Sequence, residues 1–300
     1  MELDQLRYFL AVSETGNFTR AAERSHIAQP SLSQQIIKLE KELGHKLFHR
    51  LGRKAVVTEA GSVFLERARR ILFEVEDATK ELGDNSSLER RITVGAIPTL
   101  APYQLPRLLT LCRKRFPNLQ VNIREDFKPT LLTELLEGEL DLALAALPVS
   151  DPRIQVEILW REPLTLVVAK DHPLALKSRV SWADLANETF ILLSSSSSLA
   201  AQVRRFFGDN HFEPRIGSRC AQVSTVKALV AIGAGISIVP RDARSEEDQG
   251  LLAYISLSDA KPTRDIALLR HMQRYQSRGA EQFISLLREV AAQKAAEAQV

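Results

Sequence analysis

The chain has 300 residues, of which 45% are hydrophobic and 26% are charged. This length predicts roughly two domains of about 100–200 residues each, and this composition excludes an intrinsically disordered chain. No apolar run approaches the ~18 residues that a membrane-spanning helix needs. Residues 1–5 include two acidic side chains, whereas a secretory signal begins with basic and then apolar residues. Only Cys112 and Cys220 are present, which excludes a disulfide scaffold and a CxxC-type zinc or redox motif. We therefore expect a cytoplasmic protein without metal or cofactor.

Positive charge is concentrated near the N-terminus, although the net charge is only +3. Residues 18–58 contain eight Lys and Arg against three Glu, a local charge of +5, so the remaining residues sum to about −2. A basic segment on a near-neutral chain is typical of a small nucleic-acid-binding module. An ordinary solvated surface has the same signature, so the spacing of the residues has to decide.

Three short helices are predicted in this segment. Leu3, Leu6, Phe9 and Leu10 recur at helical spacing, and Gly16-Asn17 ends this first helix. Thr19 is the predicted N-cap of a second helix that ends at Arg24, and residues 25–29 form a turn. Pro30 suits the first turn of a third helix, over residues 30–42, because its missing N–H is not needed there.

The third helix has two distinct faces. Four apolar residues spaced 4, 3 and 4 apart predict one buried stripe; they are Leu32, Ile36, Leu39 and Leu43. The opposite face carries Ser31, Gln34, Lys38 and Lys41, with Ile37 at its margin. Gln pairs well with adenine, Ser bonds to several base edges, and an exposed apolar side chain meets a thymine methyl, while lysines suit phosphates. An amphipathic surface helix would explain the lysines, but not the helix-turn-helix spacing before them.

A small hairpin is predicted after the third helix. Residues 46–50 form one strand, Gly52 supplies the turn, and residues 55–57 return. The basic tip over residues 50–54 would reach the DNA backbone or minor groove as a wing. We expect Phe48 to lie in the core, and we interpret His26, His45 and His49 as structural or phosphate contacts, because they lack metal-ligand spacing.

The sequence resembles the LysR-type transcriptional regulators. The residues that carry the resemblance are Leu6-Arg7-Tyr8-Phe9, Gly16-Asn17-Phe18-Thr19-Arg20-Ala21-Ala22, Ala28-Gln29-Pro30-Ser31-Leu32-Ser33-Gln34-Gln35-Ile36, Leu39-Glu40, Leu43-Gly44, Leu47-Phe48-His49-Arg50 and Thr58-Glu59-Ala60-Gly61. The resemblance implies a winged helix-turn-helix whose reading helix covers residues 30–42. We assign DNA contacts to Thr19, Arg20, Gln29, Pro30, Ser31, Ser33, Gln34, Lys38, Arg50, Arg53 and Lys54.

A long helix follows, because residues 58–82 contain no proline. Thr58 can cap it, and Glu59 favours its positive end. Two series of residues seven apart, offset by four, predict a coiled-coil seam; they are Phe64, Ala68, Ile71, Val75, Ala78 and Leu82. The helix could instead pack on its own domain, but we favour a dimer because it directly follows a DNA reader. Two reading helices would then meet half-sites about one turn, ~34 Å, or a multiple apart, in an imperfect inverted repeat. Residues 83–87 are the predicted hinge.

Strands and helices alternate from Arg91 onward. Strands are predicted at residues 92–97, 119–125, 140–146, 164–169, 190–193, 236–239 and 266–270, and helices at 105–115, 131–137 and 223–232. This alternation indicates an α/β fold with mainly parallel sheets. The resemblance implies two lobes joined by crossover strands near residues 161 and 266, similar to type 2 periplasmic binding proteins.

The predicted domain organisation has three parts. Residues 1–58 form the mainly α winged helix-turn-helix, residues 59–88 the linker helix for dimerisation, and residues 89–300 the effector-binding domain. Within the last part, lobe I covers residues 91–161 and 267–300, and lobe II covers residues 162–266.

Four segments place polar groups at helix N-termini beyond strand ends, where open α/β sheets bind ligands. The predicted effector contacts are Pro98, Thr99, Leu100, Phe127, Lys128, Thr130, Ser195, Ser197, Ser198, Val223 and Ser224. Each could be a simple cap, and the five-serine run over residues 194–198 could be a solvated loop. Because donors outnumber apolar groups in these segments, we expect a small, oxygen-rich, anionic effector.

Residues 94–106 resemble most closely the OxyR-type peroxide regulators of this family. The resemblance places Ser198 and Phe207 at the positions of the peroxide-reactive and resolving cysteines. Neither side chain can form a sulfenic acid or a disulfide. A Cys-to-Ser replacement would account for Ser198 but not for Phe207. We expect Cys112 and Cys220 to be buried structural residues, so effector sensing ranks above an OxyR-like redox response.

Enzymatic and transport functions are disfavoured. Residues 233–235, Gly-Ala-Gly, precede a predicted strand instead of opening a helix, so they fail the context of a dinucleotide site. The chain has no Walker lysine motif, HExxH or GxSxG, and a transport protein would lack the N-terminal module. The expected partners are double-stranded promoter DNA, a small effector, RNA polymerase and a second copy in a homodimer, which the resemblance extends to a homotetramer.

Overall fold

The computed structural model describes residues 1–52, 54–83, 90–258 and 261–297. The chain divides into two compact units, Met1–Ser86 and Ser87–Val300. None of the helices within the described ranges combines the length and apolar composition that crossing a bilayer requires.

The first unit is a winged helix-turn-helix followed by a long helix. Its elements are α1 (Leu3–Thr15), α2 (Phe18–Arg24), α3 (Gln29–Leu43), β1 (Phe48–Leu51), β2 (Lys54–Val57) and α4 (Glu59–Gly83), with β1 and β2 antiparallel. Gly16 ends α1 in the left-handed conformation, with φ 61°, which glycine adopts without steric cost. The three helices and the hairpin agree with the predictions.

The N-cap of α2 is Asn17, so the prediction of Thr19 as the cap is wrong. The Asn17 Oδ1 accepts the backbone N–H of Thr19 at 2.8 Å and that of Arg20 at 3.1 Å. Asn17 has the extended backbone of an N-cap. Thr19 is thus inside the first turn, with its exposed side chain free to face outward.

The core of this unit lies between α1, α3, the hairpin and α4. Leu32, Ile36 and Leu39 are fully buried, as the stripe on α3 predicts. The Phe9 ring lies 5.2 Å from that of Phe48 and 5.2 Å from that of Phe64. Phe48 is therefore a core residue, as expected.

The first half of α4 packs on its own unit, which corrects part of the predicted seam. Ala68 is fully buried in the core of this unit, so its assignment to a dimer seam is wrong. Phe64 and Ile71 are partly buried against the same core. Farther along, Val75 is half-buried and Ala78 is exposed. The Leu82 side chain and the predicted hinge beyond Gly83 lie outside the described residues.

The wing is anchored by Glu40, a buried carboxylate on α3 that is 3% exposed. Its Oε1 accepts the backbone N–H of Leu47 at 2.9 Å and that of Phe48 at 3.3 Å. Its Oε2 accepts from the exposed Lys46 Nζ at 3.0 Å. The carboxylate thereby fixes the hairpin against the helix that precedes it.

The second unit alternates strands and helices. Its elements are β3 (Arg90–Ala96), α5 (Ala101–Arg115), β4 (Leu119–Glu125), α6 (Lys128–Glu137), β5 (Leu142–Ala146), β6 (Ile154–Ala169), β7 (Arg179–Val180), α7 (Trp182–Leu185), β8 (Thr189–Leu193), α8 (Ser198–Asp209), β9 (Arg215–Cys220), α9 (Val223–Ala231), β10 (Ser237–Pro240), β11 (Leu252–Leu257), β12 (Thr263–His271) and α10 (Arg278–Glu297).

Among the described residues, eight strands form one mixed sheet in the order β4-β3-β5-β12-β6-β11-β7, with β10 also paired to β6. Strand β3 is parallel to β4 and β5, and β8 is parallel to β9. Strand β6 is antiparallel to β10, β11 and β12. The expectation of mainly parallel sheets is therefore wrong, because the two long strands run in opposite directions and pair with each other.

Strands β6 and β12 connect two lobes, and Trp160 lies opposite Ile266 in their register. This agrees with crossovers near residues 161 and 266. One hydrophobic core, here lobe I, includes β3, α5, β4, α6, β5 and α10. The other, lobe II, includes β8, α8, α9, β10 and β11.

A buried ion pair joins the crossover strands. Glu162 on β6 lies opposite Arg264 on β12, and the Arg264 Nε donates to the Glu162 Oε2 at 2.5 Å with both side chains buried. Arg264 also donates to the Thr99 Oγ1 at 2.7 Å and to the Thr99 carbonyl at 2.9 Å. Burial raises the pKa of Glu162, and the Arg264 charge opposes that rise. The pair thus ties both crossover strands to the loop after β3.

We predict that Glu40→Leu lowers the free energy of unfolding by about 2–3 kcal/mol, because two buried N–H groups lose their acceptor. Urea denaturation of the full chain, followed by circular dichroism, measures the change. Lys46→Met is the matched control: the Lys46 side chain is 72% exposed, so its loss should cost less than about 1 kcal/mol. Unchanged stability in Glu40→Leu would contradict the anchoring role.

We predict that Glu162→Gln destabilises the second unit by about 3–5 kcal/mol, because it leaves a buried guanidinium without its counter-charge. The double variant Glu162→Leu, Arg264→Met removes both charges and should recover most of that loss. Denaturation of the three proteins under one condition compares them. A double variant no more stable than Glu162→Gln would show that the charge itself is not the cause.

Candidate nucleic-acid interface and ligand cavity

One face of α3 is open to a partner. Because Leu32, Ile36 and Leu39 are buried, the residues on the other side point outward. Ile37 is 44% exposed, at the margin of the face where a thymine methyl could be met. The exposed residues predicted to contact DNA on this helix are Gln29, Pro30, Ser31, Gln34 and Lys38.

Exposed cations surround this face. Arg20 and Lys38 make no ion pair with any described residue, and the same holds for Lys41 and Lys54. Arg24, by contrast, is paired with Glu14 at 2.6 Å. Arg53 lies outside the described residues. Unpaired cations beside an exposed helix are the groups that phosphate contacts require.

Arg50 connects the wing to both helices of the reading motif. Its guanidinium lies 4.7 Å from the centroid of the Phe18 ring and donates to the Ser33 Oγ at 3.1 Å. Arg50 and Ser33, both predicted as DNA contacts, are thus brought together by the fold. A guanidinium that stacks on an aromatic ring and also donates a hydrogen bond is held in one orientation. Arg50 and Ser33 therefore form an ordered polar surface beside α3.

Asn17 and Glu40 were missed as residues that shape this surface. Asn17 lies two residues before Thr19, and both residue types cap helices; the higher N-cap preference of asparagine is the signal that could have identified Asn17. Glu40 has no local signal, because a glutamate between lysines on a helix has the pattern of a solvated face. Only the return of the chain over α3 places the Leu47 and Phe48 N–H groups against it.

A cavity of about 680 Å³ lies between α6 of lobe I and the start of α8 of lobe II, beside β12. Its lining includes four predicted effector residues, Lys128, Ser195, Ser197 and Ser198. Gln202 and Arg264 line it as well and were not predicted. Apolar side chains such as Leu147, Leu164 and Phe206 complete the wall. The cavity therefore suits a molecule with polar and hydrocarbon parts.

Lys128 is the cation of this lining that has no carboxylate partner among the described residues. Its Nζ donates to the carbonyls of Ala146 at 3.2 Å and Pro148 at 2.8 Å, and burial lowers the pKa of Lys128. Arg264 is paired with Glu162 at 2.5 Å, and Arg205 approaches Asp209 at 3.7 Å. A half-buried ammonium without a counter-charge favours an anionic occupant.

The N-terminus of α8 faces the same cavity. Ser197 is its N-cap with extended backbone, and the Ser197 side chain makes no capping hydrogen bond. The N–H groups of a helix's first turn lack partners inside the helix, and they favour negative charge. Ser197 is nevertheless buried, whereas Ser195 is exposed and Ser198 is half-buried. A bound group would therefore contact Ser195 or Ser198 first.

The other predicted effector residues are not all brought to this cavity. Pro98, Val223 and Ser224 line a second cavity of about 960 Å³, whose lining also holds the Lys227–Asp248 ion pair at 2.8 Å. Thr99 is buried beneath Arg264, and Phe127 and Thr130 line neither cavity. Leu100 is 1% exposed in the core of lobe I and also lines neither cavity.

The two positions that the OxyR resemblance singles out both lie on α8. Ser198 is its first residue, and Phe207 is buried, with its ring 5.2 Å from that of Phe190 and 5.5 Å from that of Phe212. Cys112 and Cys220 are free and buried, in the cores of lobe I and lobe II respectively. Burial raises the pKa of Cys112, which disfavours the reactive thiolate. Within the described ranges, no group of three or more His, Cys, Asp or Glu is arranged to hold a metal ion.

Two family models match the chain. Residues 3–62 match the bacterial regulatory helix-turn-helix protein, lysR family, and residues 85–292 match the LysR substrate binding domain. The first match lies in the first compact unit, and the second covers most of the second unit.

Similar proteins have been described in bacteria. The hydrogen peroxide-inducible genes activator of Pectobacterium carotovorum is 34% identical over 273 residues, which is 90% of each chain. The transcriptional regulator BenM of Acinetobacter baylyi is 36% identical over 263 residues, 86% of each chain.

Solved structures extend the likeness to the whole fold. A full-length OxyR variant from Pseudomonas aeruginosa superposes with a TM-score of 0.77 at 28% identity, over 96% of this chain and 98% of that one. Full-length CbnR in complex with its target DNA gives a TM-score of 0.70 at 27% identity, over 96% and 99%. By its sequence and by its fold, the chain belongs to the LysR family of DNA-binding transcriptional regulators.

Proposed function

We propose that this regulator binds an imperfect inverted repeat in promoter DNA and responds to a small anionic effector in the cavity between its lobes. Acting on the chromosome, it works in the cytoplasm, with RNA polymerase as a further partner. Effector binding shifts the sensor between two states of different lobe arrangement, in the manner of a population shift.

Support for the DNA-binding part comes from the two kinds of group on and around α3. Gln34 and Ser31 can reach base edges, whereas Lys38, Lys41 and Arg20 suit phosphates and carry no sequence information. Arg50 and Lys54, both exposed, extend the basic surface onto the wing. Arg53, which lies outside the described residues, stays a DNA contact predicted from the sequence. Gln29, Pro30, Ser33 and Thr19 complete the surface that we assign to DNA.

Support for a dimer comes from the second half of α4. Val75, Ala78 and Leu82 continue the heptad beyond the part of the helix that packs on its own unit. A seam of this kind holds two reading helices at a fixed separation, so the half-sites should lie one helical turn or a multiple apart. Pairing of dimers into tetramers is the further step that the family resemblance implies.

The observation that carries the effector proposal is Lys128 in its cavity. Among the described residues, its ammonium bonds to the neutral carbonyls of Ala146 and Pro148, while the arginines of the lining have carboxylates beside them. An anion would add a charge–charge attraction to the ammonium that a neutral carbonyl does not supply. An organic acid therefore matches both the free charge and the apolar wall.

A peroxide response is the second candidate, because a relative 34% identical is a hydrogen peroxide-inducible genes activator. Ser198 and Phe207 lack the sulfur that thiol chemistry needs, so such a response would depend on Cys220. A peroxide-dependent change in DNA binding that Cys220→Ser removes would favour this candidate over an effector.

We expect Gln34→Ala to lose about 1–3 kcal/mol of discrimination at one base position, and Lys38→Met to weaken binding to every sequence and lower the salt slope by about 1. Fluorescence anisotropy, with the chain's own upstream DNA and single-base variants over a salt series, measures both. The matched control is Lys170→Met, an exposed lysine of the sensor unit, which should change neither. If Gln34→Ala binds every base variant as the wild type does, α3 is not the reader.

We expect calorimetry across a panel of organic and inorganic anions to identify a ligand whose affinity falls roughly 10- to 100-fold in Lys128→Met, the range for loss of a bond to a charged group. Arg204→Met removes an exposed charge from α8 outside the cavity lining and should bind normally. No binding to any anion in the panel would remove the basis of the effector proposal.

A further inference from the structure

Three consecutive carbonyls at the C-terminal end of β5, on residues 146–148, are held by side chains that line the cavity. The Lys128 Nζ on α6 donates to the carbonyl of Ala146 at 3.2 Å and to that of Pro148 at 2.8 Å. The carbonyl between them, on Leu147, accepts from the Gln202 Nε2 on α8 at 2.7 Å. Lys128, Leu147, Pro148 and Gln202 all line the 680 Å³ cavity. A segment of lobe I is therefore gripped from both lobes at once.

The grip from lobe II depends on one amide. Gln202 is the residue of α8 that bonds to the 146–148 segment among the described contacts. The Leu147 N–H donates to the Asp265 carbonyl on β12 at 3.0 Å, which fixes the segment to the crossover strands. Motion of the segment would therefore be transmitted to α8 through the Gln202 bond.

The Gln202 amide uses its donor but not its acceptor among the described residues. Its Oε1 is buried and has no hydrogen-bond partner among the described residues. An unpaired buried acceptor costs free energy that a move to solvent or to a donor would recover. The free energy of the unpaired Oε1 therefore offsets part of the stabilisation that the bond to Leu147 provides.

We propose that Lys128, residues 146–148 and Gln202 form a carbonyl clamp that couples occupancy of the cavity to the position of lobe II. The role of the occupant rests on the proposed function, whereas the clamp itself does not. An anion attracts the Lys128 ammonium through its full charge, whereas the neutral carbonyls attract it only through their dipoles. As the ammonium turns toward the anion, the Ala146 and Pro148 carbonyls lose their donor, the segment loosens, and Gln202 releases Leu147. Gln202 is in this account a positioning residue.

Hydrogen exchange of the full chain without any ligand, read by mass spectrometry on the peptides of α8, tests the clamp. Gln202→Leu should speed exchange in α8 by roughly fivefold, the factor for one hydrogen bond of ordinary strength. Lys128→Met should speed the same peptides, although Lys128 lies on α6 of the other lobe. The double variant should exchange no faster than the faster single variant, because both changes break one unit.

Two controls separate the clamp from a general loss of stability. Arg204→Met on α8 should exchange as the wild type does, and Lys128→Arg, which keeps a charged donor, should restore slow exchange. The proposal is overturned if Lys128→Met leaves α8 unchanged, if the two single effects add, or if Arg204→Met has the same effect. Because no ligand is used, failure here leaves the effector proposal standing, and failure of the calorimetry leaves the clamp standing.

Discussion

The burial of one face of α3 is the constraint on which the DNA-binding unit depends. Leu32, Ile36 and Leu39 are fully buried against the neighbouring helices, and successive residues of a helix are about 100° apart around its axis. A rotation of α3 that buried Gln34 would expose these side chains to water. The loss of stability would be about 1.5–3 kcal/mol for each large apolar side chain exposed. The reading face is therefore oriented by the core, and Glu40 extends the same rigidity to the wing.

The sensor unit uses charge in two opposite ways within a small volume. At the crossover strands, Arg264 forms an ion pair with Glu162 and a hydrogen bond to Thr99. Its charge is therefore neutralised by a contact that joins β6 to β12. In the lining of the same cavity, Lys128 has carbonyls as hydrogen-bond partners and no counter-charge among the described residues. The first arrangement gives a fixed frame, and the second leaves a position that an anion can occupy. Regulation requires both, since a ligand can only shift states that it binds unequally.

Local sequence patterns predicted many of the helices and strands correctly. The features that they did not predict depend on contacts between residues far apart in the sequence. Helical spacing located α3 and its buried stripe, and turn residues located the wing. The heptad assigned Ala68 to a partner helix, because a seven-residue repeat does not distinguish an intermolecular neighbour from the helix's own domain. The strand ends located candidate ligand loops, but not which side of the sheet each loop faces, so Val223 and Lys128 line different cavities. Gln202 had no signal at all, since its partner is a backbone carbonyl 55 residues away.

The most direct test of the account is dimethyl sulfate protection on the chain's own upstream DNA, because this reagent methylates the guanine N7 in the major groove. If two copies each place α3 in a groove, two protected patches will appear in an inverted repeat, about 10 base pairs or a multiple apart. Gln34→Ala will weaken protection in both patches together. A single patch, or binding that leaves every major-groove N7 reactive, would contradict the account.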